Sequence, residues 1–308
     1  MQEQRKKITL PSLIFYILFA SSLILSVTAI VSKKRTTGKA SSDKNLVVME
    51  INGALSYKTC MPFVKAVRKY SEMPSIKGII LKINSPGGTA GGVQELYSEI
   101  IRFRKKGKVA IASFGDIAAS GGYYIAMACD KVVSNPSSMV GSVGVIMNTM
   151  NYSNLMKRFG VESIVVKSGK FKDILSSFRQ STPQELALLQ ELVNDTFEEF
   201  FKAVKTSRKN IPEAKLREIC DGRIFTGNSA HKLKMVDELG GFYKAVDIFK
   251  KLTNTSKVNI LNFKSGSLNI MSLLRGTQSR NGNIAQKLRE IFTSSEFYSP
   301  IYYLYTGI

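Results

Sequence analysis

The chain has 308 residues, 44% of them hydrophobic, and carries 44 lysines and arginines against 23 acidic residues, a net charge of +21. That length and apolar fraction exclude wholesale disorder and allow one large or two small domains with a real core. The basic residues are scattered, with no zinc-ligand spacing and no aromatic box among them, so nucleic-acid binding is not indicated, and work beside anionic lipid headgroups accounts for the charge.

In chain order, residues 1–9 form a basic segment, and Leu10 to Val31 is a run without a charge. At about 1.5 Å per residue such a run crosses about 30 Å of hydrocarbon. A single membrane anchor is expected. It is favoured over a cleaved secretory signal because the apolar region exceeds the usual length of about 7 to 15 residues and no A-x-A site follows. Arg5, Lys6 and Lys7 before it balance Lys33, Lys34 and Arg35 after it, so charge does not fix the orientation. Residues 32–44 are polar and basic, a linker.

From residue 45 to 261 strand-like and helix-like stretches alternate. Strands are expected at 46–51, 78–83, 109–114, 143–147 and 163–166. Helices are expected at 61–70, 93–103, directly after Ser120, and at 152–159. A longer amphipathic stretch, 184–209, reads as a core or oligomer element. The alternation predicts an α/β domain with a largely parallel sheet, whose ligand sites lie at the carboxyl ends of the strands. Two glycine-rich loops fall there.

The first, Asn84-Ser85-Pro86-Gly87-Gly88, lacks both the G-x-G-x-x-G spacing of dinucleotide folds and the GK[ST] of a phosphate loop. It is either a plain turn or an oxyanion hole built from backbone amides. The second centres on Ser120, between Ala118-Ala119 and Gly121-Gly122, with an apolar helix behind it. There the hydroxyl either caps the helix or, beside free N–H groups and the positive end of the helix dipole, serves as a nucleophile.

A serine nucleophile needs a base, and the one histidine, His231, lies in an ordinary helical pattern. A lysine can take the role, since burial lowers its pKa. Lys167, Lys170 and Lys172 cluster at the end of a strand, and Lys172, flanked by Phe171 and Ile174, is the most easily desolvated; as a purely local reading all three remain solvated loop charges. Cys60, Cys129 and Cys220 are far apart and without CxxC spacing, so neither a disulfide framework nor a metal site is indicated. No cofactor is expected.

Four stretches in order, NSPGG, the GDIAASGGYYIAMACDKVVSNPSSMVGSVGV block, KSGKFKDILSSFRQSTPQE and RIFTGNSAHKLKMVDELGG, together resemble the signal peptide peptidase A family. The resemblance covers about residues 46 to 252. It implies the spiral of strand-strand-helix units shared with the Clp protease and crotonase, and a serine endopeptidase with Ser120 as nucleophile and Lys172 as general base. It implies that the amides of Gly87 and Gly121 hold the oxyanion and that the Ser142 hydroxyl orients the lysine. Ala118 departs from nucleophile turns that carry glycine, but a small residue is kept.

The resemblance further implies a bacterial cell-membrane protein with its catalytic part outside the cytoplasm, cleaving apolar remnants of signal peptides. It would act as a homo-oligomeric ring in which serine and lysine come from adjacent protomers. A crotonase-like acyl-transfer enzyme and a catalytically silent membrane scaffold of the same fold are the alternatives. Residues 262–308 form an extension with a short amphipathic helix expected at 284–292. Its uncharged tail, 298–308, is apolar and β-prone, suited to adding a strand to a groove edge.

Overall fold

A computed structural model describes residues 44–263 and the strand 302–304, within a chain that divides into two units at residues 43 and 44. The anchor 10–31, nearly all of the linker and the helix expected at 284–292 lie outside the described residues. Among the described residues no helix is long and apolar enough to cross a membrane.

Among the described residues eighteen elements follow one another: β1 (Lys44–Asn52), α1 (Tyr57–Ser71), β2 (Ile76–Ser85), β3 (Gly87–Thr89), α2 (Ala90–Lys105), β4 (Val109–Ala119), α3 (Gly121–Ala126), β5 (Lys131–Ser134), β6 (Met139–Gly141), α4 (Ser153–Arg158), α5 (Pro183–Ser207), α6 (Glu213–Ile219), β7 (Ile224–Thr226), α7 (Gly227–Lys232), β8 (Glu238–Leu239), α8 (Phe242–Leu252), β9 (Val258–Phe263) and β10 (Tyr302–Leu304). The main sheet runs β7-β6-β4-β2-β1-β9, with β5 on β4 and β8 on β5. Every pairing in it is parallel except β6 with β7.

A parallel sheet must be covered on both faces, and β1 shows how the sequence provides for this. Val47, Met49 and Ile51 point into the larger core, with Phe63 and Val67 of α1, Leu96 and Phe103 of α2, and Phe200 and Val204 of α5. Leu46 and Val48 face the other way, onto Ala245, Val246 and Phe249 of α8. Beyond the start of α8 that second face turns polar, where Glu50 pairs with Lys82 at 2.6 Å. Phe249 rests so closely on Gly78 that a Cβ there would lie 2.6 Å from its ring.

β4 serves two neighbours. Ile111–Ser113 pairs with β5, whereas Ile117–Ala119 pairs with β6. The kink between them is splinted by side chains: Asn84 Oδ1 accepts from the N–H groups of Asp116 (3.0 Å) and Ile117 (3.2 Å), Asn135 Nδ2 donates to Phe114 O (3.0 Å), and Ser138 Oγ donates to Gly115 O. The second half of β4 is thereby redirected to end at Ser120.

Two expected strands are not formed. At 143–147 the strand comes earlier, as β6, because Gly141 and Ser142 both take positive φ (104° and 51°) and turn the chain away. Residues 163–166 have no neighbouring strand to complete a backbone ladder; Ile164 and Val166 are 87% and 97% exposed. Phe159, at the end of α4, is 76% exposed.

Candidate active site

The strands β2, β4 and β6 lead to Gly87, Ser120 and Ser142 at the carboxyl edge of the sheet. Ser120 sits between β4 and α3 at φ 50°, ψ −116°, a left-handed conformation that costs a non-glycine residue energy and marks strained strand-to-helix turns. Its N–H donates to Gly141 O at 2.7 Å, and its carbonyl accepts the first helical bond from Tyr124 N at 2.8 Å. Its side chain makes no capping hydrogen bond to α3. The helix-cap role is therefore not the one this serine plays, although it is 1% exposed. Gly122 behind it has no room for a side chain, since a Cβ would lie 2.9 Å from Ser85 O.

Gly121 is buried at the first turn of α3, where backbone N–H groups lack intrahelical partners. Gly87 opens β3 at φ 104°. Its N–H is engaged, at 3.1 Å, with Ser85 Oγ, which itself donates to Gly53 O at 2.7 Å. β3 is locked on one side to Leu55, whose N–H donates to Gly87 O and whose carbonyl accepts from Thr89 N, both at 2.8 Å. A Cβ at Gly88 would lie 1.7 Å from Leu55 O, so only glycine admits this approach. The other side of β3 is taken by the chain's own C-terminal strand: Tyr302, Tyr303 and Leu304 pair antiparallel with Thr89, Gly88 and Gly87. The NSPGG loop is thus a strand edge, and the tail is its partner.

Ser142 follows Gly141 on β6, and Ala119 pairs with Gly141 across neighbouring strands, a spacing of about 4.8 Å. Ser120 and Ser142 are the next residues of those two strands. Ser142 is buried, with its N–H donating to Arg223 O at 2.8 Å.

Lys172 is not brought to them in the single chain. It lies exposed on a run of turns, with its N–H donating to Gly169 O at 3.1 Å, and no hydrogen bond joins it to Ser120 or Ser142. Phe171 and Ile174 are half-buried but do not desolvate it. Of the three candidate lysines, however, Lys172 is the one whose ammonium has no partner among the described residues. Lys167 bonds Asp173 and Lys170 O, and Lys170 bonds Gln184 and lies 5.4 Å from the Phe171 ring centroid. His231 is exposed on α7.

The cysteines are buried thiols. Burial pushes Cys60 and Cys220 up to about 12 and Cys129 higher still, which keeps them protonated and unreactive. Among the described residues no group of acidic, histidine or cysteine side chains could hold a metal ion.

Sequence reading missed Asn84, Asn135 and Ser138 as the splint of β4. It also missed Asp173, Arg179 and Glu185, which form a charged cluster beside Lys172. One signal for the last was present, because Thr182-Pro-Gln-Glu185 is a capping-box pattern and is used as one at the start of α5.

The turn at Ser120, whose side chain caps no helix, thus lies at the carboxyl edge of a parallel sheet, and β3 pairs there with extended chain. The class of protein comes from comparison with known proteins. Residues 102–256 match peptidase family S49. A candidate protease of Synechocystis sp. is 40% identical over 66% of this chain and 72% of its own length. A candidate signal peptide peptidase SppA of Enterococcus faecium is 28% identical over 89% and 85%, and a chloroplastic serine protease SPPA of Arabidopsis thaliana is 30% identical over 70% and 32%. The chain belongs to peptidase family S49, the family of the signal peptide peptidase A proteins, and is a serine protease.

Proposed function

We propose that this protease is a membrane-tethered endopeptidase with a Ser-Lys dyad that degrades apolar remnants of signal peptides. The observation that carries the reading is Ser120 itself, a serine held in a strained turn whose hydroxyl caps nothing. In the reaction Ser120 Oγ gives its proton to the neutral Lys172 amine and attacks the scissile carbonyl. Lysine then hands the proton to the leaving amine, and water releases the acyl group. The amides of Gly121 and Gly87 receive the oxyanion, Gly87 exchanging its long bond to Ser85 Oγ for it. Substrate lies extended along β3, in the place where β10 pairs.

The lysine reaches the serine between protomers. Its arm leaves Phe159, Ile164 and Val166 exposed among the described residues, as expected of a surface covered by a second copy in a ring. The uncharged run 10–31 anchors the ring in a bacterial cell membrane with the catalytic units outside the cytoplasm, and the main sheet belongs to a Clp protease/crotonase-like spiral. Fluorophosphonate labelling followed by peptide mapping tests the assignment: the label lands on Ser120, Ser120→Ala and Lys172→Ala each lose several orders of magnitude in kcat, and Lys170→Ala keeps most of it. Full activity in Lys172→Ala would overturn the dyad.

A further inference from the structure

The arm that carries Lys172 has no core of its own. Every residue from 157 to 170 is exposed, and beside Lys172 the apolar Phe171 and Ile174 are only half-buried, so apolar packing among the described residues holds the lysine weakly. A general base works only when held to within about half an ångström of its productive position. What the chain supplies instead begins at the residue next to Lys172. Both carboxylate oxygens of Asp173 are taken by one guanidinium, from Arg179 Nε at 2.7 Å and Nη2 at 2.8 Å, and Arg179 Nη2 also donates to Asp173 O at 3.2 Å. Lys167 adds a further bond to Asp173 Oδ1.

The other edge of Arg179 is bound to Glu185, from Nη1 at 2.9 Å and from Nη2. Glu185 is buried and is the third residue of α5, where its carboxylate also accepts from Thr182 N at 2.8 Å. From there α5 runs into the main core through Phe200, Phe201 and Val204. The order of attachment is therefore core, α5, Glu185, Arg179, Asp173, Lys172. A planar fork that binds two carboxylates fixes orientation as well as distance, which a lysine at the same position does not.

We infer that Arg179, clamped between Asp173 and Glu185, is the positioning residue that aims Lys172 at the nucleophile. This rests on Lys172 being the base, and the test separates the two ideas. Arg179→Lys keeps the charge but loses the fork. In the full chain, assayed on a short apolar peptide, it lowers kcat about ten- to a hundredfold with KM within about twofold, while the melting midpoint stays near that of the parent. Arg179→Ala regains part of its kcat when millimolar guanidinium is added. In a Lys172→Ala background Arg179→Lys costs nothing further, because the clamp acts only through that lysine.

An Arg179→Lys enzyme with parental kcat, a loss that only tracks the folded fraction, or a full additional loss on top of Lys172→Ala would each overturn the clamp while leaving the base assignment standing. A fully active Lys172→Ala would remove the base assignment, and the clamp with it.

Discussion

Ser142 is where a single hydroxyl should be read most directly in the chemistry. It sits one step past the strand pair that binds the backbone of Ser120, buried and at φ 51°, a conformation maintained at a cost. If its hydroxyl orients the lysine without touching substrate, Ser142→Ala lowers kcat and leaves KM nearly unchanged in steady-state assays. A change confined to KM would place it in a binding pocket. Glu185 offers a second test, by acid. Hydrogen bonds from Arg179, then from the Thr182 backbone, hold its carboxyl down to about 2. A carboxyl depressed on folding contributes stability that is complete above its ordinary value and is lost as pH falls through the depressed one. The melting midpoint of Glu185→Gln should therefore stay below that of the parent at pH 7 and at pH 5, and the gap should narrow between about pH 4 and 2.

At the scale of elements, the strands with apolar neighbours on both faces were the legible ones. β1, β2 and the first half of β4 are runs of branched residues flanked by helical periodicity, and the parallel sheet follows from them. What the sequence concealed was pairing. β4 looks like one strand ending at Phe114, yet it continues to Ala119 because Asn84, near the end of the neighbouring β2, completes the kink. The apolar run at 163–166 has strand composition but no ladder to join, and composition alone does not report that. Ser120 was legible as a nucleophile or a cap, and its missing cap bond removes the second reading. β10 belongs to the same scale. Its antiparallel pairing with Gly87–Thr89 occupies the edge proposed for substrate. Deleting residues 297–308 should raise activity or lower the apparent KM on short apolar peptides without lowering the melting temperature. A truncated enzyme that folds and is kinetically unchanged would assign the tail to packing alone.

For the whole molecule, the contrast between a packed sheet and an exposed apolar arm is the ground on which a ring is proposed. The residues of the arm would read as design errors in a monomer, since isolated chains rarely leave such a surface uncovered. Replacing Phe159 and Val166 together by Asp should leave the fold intact by circular dichroism, shift the sedimenting species to a single chain, and abolish peptide cleavage. A variant that still assembles and cleaves would show that the arm is not the contact. In the proposed ring each copy would bring a net charge of +21, and an anionic membrane surface would serve as the common counter-charge.

The pairing of β10 with β3 also sets how latency would scale. An occupant joined to the site by its own chain is present at a fixed effective concentration, whatever the concentration of enzyme. Diluting the enzyme would not relieve such a block, and raising substrate would do so only through ordinary competition, so specific activity would stay flat across a dilution series at fixed substrate. A tail borrowed from a neighbouring chain would behave otherwise, releasing activity as the assembly came apart until the shared active sites were themselves lost. The shape of that dilution curve distinguishes a tether from an exchange.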